Sequence, residues 1–345
     1  MARGKGRALK THIATGPHNV APRRLGRHSE AKPGSAEMVP AAKPVHATPL
    51  HLDPGLSGEA VLLRAGRACL DHMRDNEEAA LSGDIEGIHQ MRVAVRRLRA
   101  ILSAFAPLLP KEPRRWASNE LRWFVDILGK ARNLDVFDAS LLQPARAALP
   151  DTAGFERLAM ATGKSRKAAH ETVVEVIGST RYKASVLAML RWFKDRRWRA
   201  CGDLDDLQRP IGELAPVLLD RCRRQVKKHS KHFARQSATQ RHRLRIALKK
   251  WRYAAELLES LYDRAATERF TERLRRLQDG LGEINDVRVG RHIIAAQAAR
   301  DAHATRIGDA GNRVLAWHKH RLAEDEPRWR HDLHHLLKDK PFWSS

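Results

Sequence analysis

Cysteine is scarce in this sequence, which has only Cys69, Cys201 and Cys222 among 345 residues. An odd, sparse set without a Cys-x-x-Cys pair gives no disulfide framework, and it is typical of a reducing compartment. No run approaches the roughly 18 consecutive apolar residues of a membrane span, and the N-terminus lacks the apolar core of a secretory signal. We therefore expect a cytoplasmic protein with no membrane span.

Motifs that carry enzyme chemistry are also missing. No Gly-x-x-x-x-Gly-Lys-Ser/Thr phosphate loop, His-Glu-x-x-His zinc motif or Gly-x-Ser-x-Gly nucleophile motif occurs. Catalysis on a phosphate substrate would need a positioned acid or metal ion, and no such group is evident. Of the C-terminal histidines, only His331 with His334 or His335 has helical ligand spacing, and no carboxylate triad accompanies them. We predict no catalytic residues, no cofactor and no metal site.

Positive charge dominates the composition. The chain has 64 Lys and Arg against 40 Asp and Glu, a formal net charge of +24. Such an excess repels itself in the folded state unless an anionic partner offsets it, so it favours a polyanionic ligand. Nucleic acid, an anionic membrane surface and a phosphate polymer all meet that requirement, and charge alone does not choose among them.

The first 52 residues differ in composition from the remainder. Residues 1–52 contain six prolines, nine Lys or Arg and two acids, with no apolar periodicity, so we expect a disordered basic tail. Residues 53–345 are rich in Ala, Leu, Arg, Glu and Lys and have few β-branched runs. This pattern predicts an all-α domain of about nine to eleven helices. Glycines and prolines, Gly311 and Pro327 among them, are the predicted helix boundaries.

One segment of the helical part occurs twice. His89–Arg99 (HQMRVAVRRLR) recurs as His242–Arg252 (HRLRIALKKWR), with four identical and five conservative positions. The same offset of 153 residues relates Leu128-Gly129 to Leu281-Gly282 and Cys69 to Cys222. A register kept across three separate elements predicts an internal duplication. We expect a pair of helical bundles, residues 56–200 and 210–345, related by a pseudo-twofold axis.

Both copies carry a row of cations along one helical face. At about 100° per residue, the first row is His89, Arg92, Arg96 and Arg99, and the second is His242, Arg245, Lys249 and Arg252, flanked by Arg97 and Lys250. The opposite faces are apolar, with Met91, Val95, Leu98, Leu102 and Phe105 in one and Leu244, Leu248, Trp251, Ala255 and Leu258 in the other. No acid lies between His89 and Lys111 or between His242 and Tyr253. Because like charges at this spacing destabilise a helix, two matched rows favour an anion site over a solvated surface.

These residues resemble the CHAD family, the conserved histidine α-helical domain. The resemblance continues through Leu128-Gly129-x-x-Arg132-Asn133-Leu-Asp135, Tyr253, Glu256, Leu281-Gly282-x-x-Asn285-Asp286 and Pro341-Phe342-Trp343, and it covers residues 56–343. It implies two helical bundles around a basic central pore that binds long-chain inorganic polyphosphate, and an association with polyphosphate granules. Asn133 departs from the family, which usually has Asp there.

Residue by residue, the resemblance implies polyphosphate contacts by His89, Arg92, Arg96, Arg97, Arg99, His242, Arg245, Lys249, Lys250 and Arg252. We include Arg132 in the predicted site as well. Arg132 and Asp135 are expected to hold the rows in place through ion pairs, and Asp286 is expected to do so in the second half.

Two other functions stay open. A nucleic-acid binder is the first, because Trp192 and Trp198 are interleaved with arginines and such aromatics stack bases of single strands. Aromatics at helical spacing are, however, more often core residues. An enzyme that processes polyphosphate or triphosphate is the second alternative.

Overall fold

The structure is a computed structural model and describes residues 43–150, 153–201 and 204–344. Over these ranges the chain is all-α, as the sequence predicts. The described residues form nine helices of at least 15 residues and three short ones, with no strand beyond an isolated bridge between Ser57 and Pro210. Residues 1–42, most of the predicted tail, lie outside the described ranges.

The helices are bounded as follows. The first seven are α1 (Gly58–Arg74), α2 (Glu77–Leu81), α3 (Ile85–Ala104), α4 (Lys111–Val136), α5 (Gln143–Ala148), α6 (Ala153–Gly178) and α7 (Thr180–Lys194). The other five are α8 (Asp205–Gln208), α9 (Ile211–His229), α10 (Ala238–Leu258), α11 (Arg264–Ala298) and α12 (Ala304–Lys338). A π-helical turn, Phe137–Leu142, joins α4 to α5.

The two helices that carry the cation rows are α3 and α10. Side-chain caps set where each begins: Asp84 accepts a hydrogen bond from the backbone N–H of Gly87, and Ser237 forms a capping box with Gln240. All ten residues of the two predicted apolar faces are buried. Each row is therefore held on a helix whose opposite face is fixed in the core.

The two halves have matching helix positions. Helices α1, α3 and α4 begin at residues 58, 85 and 111, and α9, α10 and α11 begin at residues 211, 238 and 264, each 153 residues later. Contacts correspond as well, since α3 packs against α1, α4 and α10, and α10 packs against α9, α11 and α3. The matching bounds and contacts favour the duplication inferred from the sequence. The contact between α3 and α10 places the two row helices against each other.

Two predicted helix boundaries are wrong, because α12 continues through both Gly311 and Pro327. A Cβ atom on residue 311 would lie 2.3 Å from Cγ2 of Ile294, so the glycine permits close approach of α11 rather than a helix end. An interior proline costs about 3 kcal/mol in a helix. The buried Trp329 and Leu333, which follow Pro327 on α12, supply the packing that offsets this cost.

Residues 43–52, the last part of the predicted tail, are packed against the helices; we call them the strap. The backbone N–H of Val45 donates to Oδ1 of Asn76 (2.9 Å), and the Asn76 amide donates back to the Val45 carbonyl (2.9 Å). The His46 ring lies 3.0 Å from the amide nitrogen of Gln90 on α3. The packed region therefore extends at least ten residues before the predicted start of the domain.

Candidate anion-binding site

A cleft of 730 Å³ lies among α3, α4 and α10, and we call it the basic cleft. Its 17 lining residues are Arg92, Arg96, Arg99, Ala100, Ser103, Lys111, Arg114, Arg115, Ser118, Asn119, Arg122, Val125, Arg245, Ile246, Lys249, Lys250 and Tyr253. Ten of them are Lys or Arg and none is Asp or Glu. Such a lining concentrates positive potential in one concave surface, which favours a multivalent anion.

Six of the predicted site residues share this cleft. Arg92, Arg96 and Arg99 reach it from α3, and Arg245, Lys249 and Lys250 reach it from α10. The two rows therefore face a common cavity and are not turned toward separate outer surfaces. This arrangement allows successive groups of one anion to contact both helices.

Three further predicted residues lie beside the cleft without lining it. Arg132 is close enough to His89 and Arg92 for its charge to lower the pKa of both, in addition to the effect of burial. The His242 ring Nδ1 lies 3.4 Å from Oδ1 of Asn285 on α11. His89 and His242 thus border the cleft near the N-terminal ends of the row helices, and Arg132 borders it from α4.

The last two predicted residues, Arg97 and Arg252, are engaged elsewhere. Arg252 donates to Glu256 (2.9 Å) and to Gln278 (3.1 Å), and its guanidinium lies over the ring of Tyr253. Arg97 lines a separate cavity of 230 Å³ between the strap and helices α1 and α3. The geometry assigns these two cations to packing rather than to the cleft.

The third wall of the cleft comes from α4, and the predicted site residues do not include it. Its residues are Lys111, Arg114, Arg115, Ser118, Asn119 and Arg122, at positions i, i+3, i+4, i+7, i+8 and i+11. This spacing is a helical face and was visible in the sequence. Acidic residues on the same helix obscured it, and one of them, Glu120, points away from the cleft, where it accepts from Arg181 (3.0 Å) and Ser185 (2.9 Å) on α7.

Three arginines of the cleft, and His89 at its border, have a buried side-chain nitrogen without a partner. Among the described residues, Nε of Arg92, Arg114 and Arg245 and Nδ1 of His89 are buried and form no hydrogen bond. A buried donor left unsatisfied costs about 1–3 kcal/mol, more when it is charged. Anionic oxygen atoms in the cleft would supply the acceptors that these groups lack.

Lys249 has the most strongly shifted pKa of the cleft residues. Burial, and then the charges of Arg96, Arg245 and Arg92, lower the pKa of its ammonium group to about 5. The same two effects lower the pKa of Arg92 to about 10, so Arg92 stays charged at neutral pH while Lys249 does not. The carboxylate of Asp286 on α11 has the opposite effect and raises the pKa of both Lys249 and Arg92.

Asp286 is thus placed near the rows, but it forms no ion pair with them among the described residues, and Asp135 lies elsewhere. Asp135 is buried and accepts from Arg166 (3.1 Å) and His170 (3.0 Å), both on α6. A buried carboxylate takes the nearest cations, and here α6 supplies them. The expectation that Asp135 holds the rows in place is therefore wrong.

The residues that suggested nucleic-acid binding lie in the core, and the other features sought were a metal cluster and a membrane-spanning helix. Trp192 and Trp198 are 2% and 0% exposed and pack on each other with ring centroids 4.7 Å apart, so they are core residues. Within the described ranges, no three His, Cys, Asp or Glu side chains are grouped to hold a metal ion. Across the same residues, no helix has the length and apolar character of a membrane span.

Solved structures of similar fold are known. The crystal structure of the CHAD domain from the plant Ricinus communis has a TM-score of 0.74 and 27% sequence identity, and the match covers 85% of this chain and 96% of that chain. PptA from Streptomyces chartreusis has a TM-score of 0.59 and 17% identity, with 82% and 100% coverage, which shows a shared fold alone.

Sequence comparison agrees with the structural match. An uncharacterized protein of Mycobacterium tuberculosis is 26% identical over 237 residues, which are 64% of this chain and 42% of that protein, so this chain spans less than half of that relative's length. The family model of the CHAD domain matches residues 64–295, more than half of the chain. The chain therefore belongs to the CHAD family.

Proposed function

We propose that this protein binds inorganic polyphosphate in the basic cleft and performs no chemistry on it. The observation that carries the proposal is that two matched rows and the α4 wall meet in one cleft lined by ten Lys or Arg residues and no acid. The contacts we assign are the ten Lys and Arg residues of the cleft, with His89, Arg132 and His242 at the border. A cytoplasmic location at polyphosphate granules follows from the same ligand.

The repeat of the cations supports a polymer rather than a single phosphate. Neighbouring members of a row lie about 5–6 Å apart along a helix, so a chain of phosphates offers each one a partner. Arginine guanidinium groups form bidentate, charge-assisted hydrogen bonds with phosphate oxygens. Release of counterions from the chain adds to the binding free energy and makes the affinity fall steeply with salt.

Polyphosphate fits the lining better than nucleic acid does. Tyr253 is the one aromatic residue of the lining and is 7% exposed, so the cleft offers no platform on which bases stack. With no acid in the lining, the cleft also has no carboxylate to position a metal ion or to act as a base. Both features favour binding of a bare phosphate chain without catalysis.

Competition separates these functions. We expect long-chain polyphosphate to displace a fluorescent polyphosphate at lower phosphate concentration than duplex DNA or RNA, and inorganic phosphate to displace it hardly at all. Displacement by either nucleic acid at equal phosphate concentration would overturn the assignment. Sustained release of phosphate during incubation with polyphosphate and Mg²⁺ would contradict binding without catalysis.

A further inference from the structure

A second basic cavity of 380 Å³ opens beside the basic cleft, between α9 and α10; we call it the α9–α10 groove. Its lining is Ser103, Ala104, Arg221, Cys222, Gln225, His229, Arg243, Ile246, Ala247 and Lys250. It contains three Lys or Arg residues, one histidine and no acid. Ser103, Ile246 and Lys250 also line the basic cleft, so the two cavities adjoin.

Lys250 lies at the junction of the two cavities. Burial lowers the pKa of its ammonium group, and so do the charges of Arg99 and Arg114 in the cleft and of Arg221 in the groove. Cations of both cavities therefore act on the Lys250 amine, which lies between the two sets of positive charges. An anion that passes Lys250 therefore meets positive charge in either direction.

The corresponding position in the first half of the chain is already covered. The cavity between α1 and α3 is lined by strap residues 45–50. His72, Asn76 and Gln90 hold the strap there: the His72 ring lies 3.0 Å from the Val45 carbonyl, Asn76 pairs with the Val45 backbone, and Gln90 contacts His46.

At the 153-residue offset, the counterparts of these three strap-binding residues are Gln225, His229 and Arg243. All three line the α9–α10 groove, which no strap covers among the described residues. Over the same part of the chain, their side chains form no hydrogen bond or ion pair with the protein. The groove thus has the polar groups of a site that binds an extended chain.

Charge determines which kind of chain fits. The strap cavity includes two acids, Asp71 and Asp75, whereas their counterparts at the same offset are Arg224 and Lys228. The groove is lined by three Lys or Arg residues and no acid, so it favours a chain of negative charge. An extended anion matches the positive charge of the groove, and it can also continue into the adjoining basic cleft.

We propose that the α9–α10 groove is a second subsite for the phosphate chain, which leaves the basic cleft past Lys250 and continues between α9 and α10. The proposal rests on the function proposed above and deepens it. It makes the protein selective for chain length, because a short phosphate chain fills the cleft alone while a long one occupies both cavities.

The test is the double variant Arg221→Glu with Arg243→Glu, since both residues line the groove and neither lines the cleft. We expect its affinity for long-chain polyphosphate to fall about tenfold, which corresponds to one charge-assisted contact. Its affinity for tripolyphosphate should change by less than about twofold, because that ligand stays in the cleft, whose lining includes neither Arg221 nor Arg243. Titration calorimetry at fixed salt measures both affinities.

A matched control is Arg300→Glu with Arg306→Glu, which changes the net charge equally at two exposed positions that line neither cavity. It should leave both affinities near the wild-type values. Equal losses for the long and short chains, or no loss for the long chain, would overturn the second subsite. Failure of the wild-type protein to bind long-chain polyphosphate would instead overturn the function itself.

A polyglutamate peptide supplies a further arm of the test. We expect it to bind more weakly than long-chain polyphosphate and to be displaced by it. If the double variant loses polyglutamate binding but keeps its affinity for polyphosphate, the groove belongs to an acidic peptide and the proposal is wrong.

Discussion

Arg92→Glu combined with Arg245→Glu is expected to lower the affinity for long-chain polyphosphate by a thousandfold or more. Each arginine faces the basic cleft from a different row helix. A hydrogen bond to a charged group contributes about 1.5–3 kcal/mol, so two lost contacts alone account for roughly a hundredfold to ten-thousandfold. Two new carboxylates then repel the chain at the centre of the site. Fluorescence anisotropy with labelled polyphosphate measures the loss.

The same variant is expected to stay folded. Neither substitution touches the apolar faces that fix α3 and α10, and each places a carboxylate among neighbouring cations such as Arg96 and Arg132. Circular dichroism should therefore show wild-type helicity and an unchanged or raised melting temperature. The control Arg300→Glu with Arg306→Glu should bind like the wild type. A folded Arg92→Glu, Arg245→Glu protein with undiminished affinity would remove the cleft from the account.

Binding of polyphosphate is expected to take up protons, with Lys249 contributing about one at pH 7. The pKa of Lys249 is lowered to about 5 by burial and by Arg96, Arg245 and Arg92, so its amine is neutral at that pH. A phosphate chain in the cleft favours the charged form and raises the pKa. Each proton taken up makes the affinity rise about tenfold per unit fall in pH.

Calorimetry in phosphate-free buffers of different ionisation enthalpy measures this uptake. Lys249→Met should take up about one proton fewer than the wild type at pH 7, and its affinity should depend less steeply on pH. His89 and His242, whose pKa values are also lowered, account for uptake that persists in the variant. The exposed Lys164→Met is the matched control and should behave like the wild type. Equal proton uptake by wild type and Lys249→Met would refute this coupling.

Stability of the ligand-free protein provides a second readout for Lys249. Because the folded-state pKa is lowered from 10.5 to about 5, the unfolded chain binds more protons across that window. The Lys249 contribution to stability is therefore complete above about pH 10.5 and is lost as the pH falls toward 5. The melting temperature of Lys249→Met should accordingly depend less on pH between these limits than that of the wild type.

The sequence predicted the row helices well because their pattern is local. Apolar residues at helical spacing, such as Leu98 and Leu248, had to face a core, and that requirement placed Arg92 and Arg245 on the opposite side. The 153-residue offset then identified the two rows as counterparts. What the offset left open was whether the rows face each other, since that depends on how α3 and α10 pack.

Tertiary contacts decided the rest of the site. Arg99 and Arg252 are counterparts, yet Arg99 faces the cleft and Arg252 is ion-paired. The difference is one residue: Glu256 lies four positions after Arg252, whereas Ser103 lies four positions after Arg99. That signal was in the sequence. The α4 wall, by contrast, needed α7 to bind Glu120 and turn it away from the cleft.

A crystal structure of the protein with long-chain polyphosphate bound tests the central claim most directly. We expect a continuous phosphate chain in the basic cleft, with phosphate oxygens within hydrogen-bonding distance of Arg96 on α3, Arg245 on α10 and Arg114 on α4. A chain bound on an outer surface, with these three guanidinium groups making no contact to it, would contradict the account.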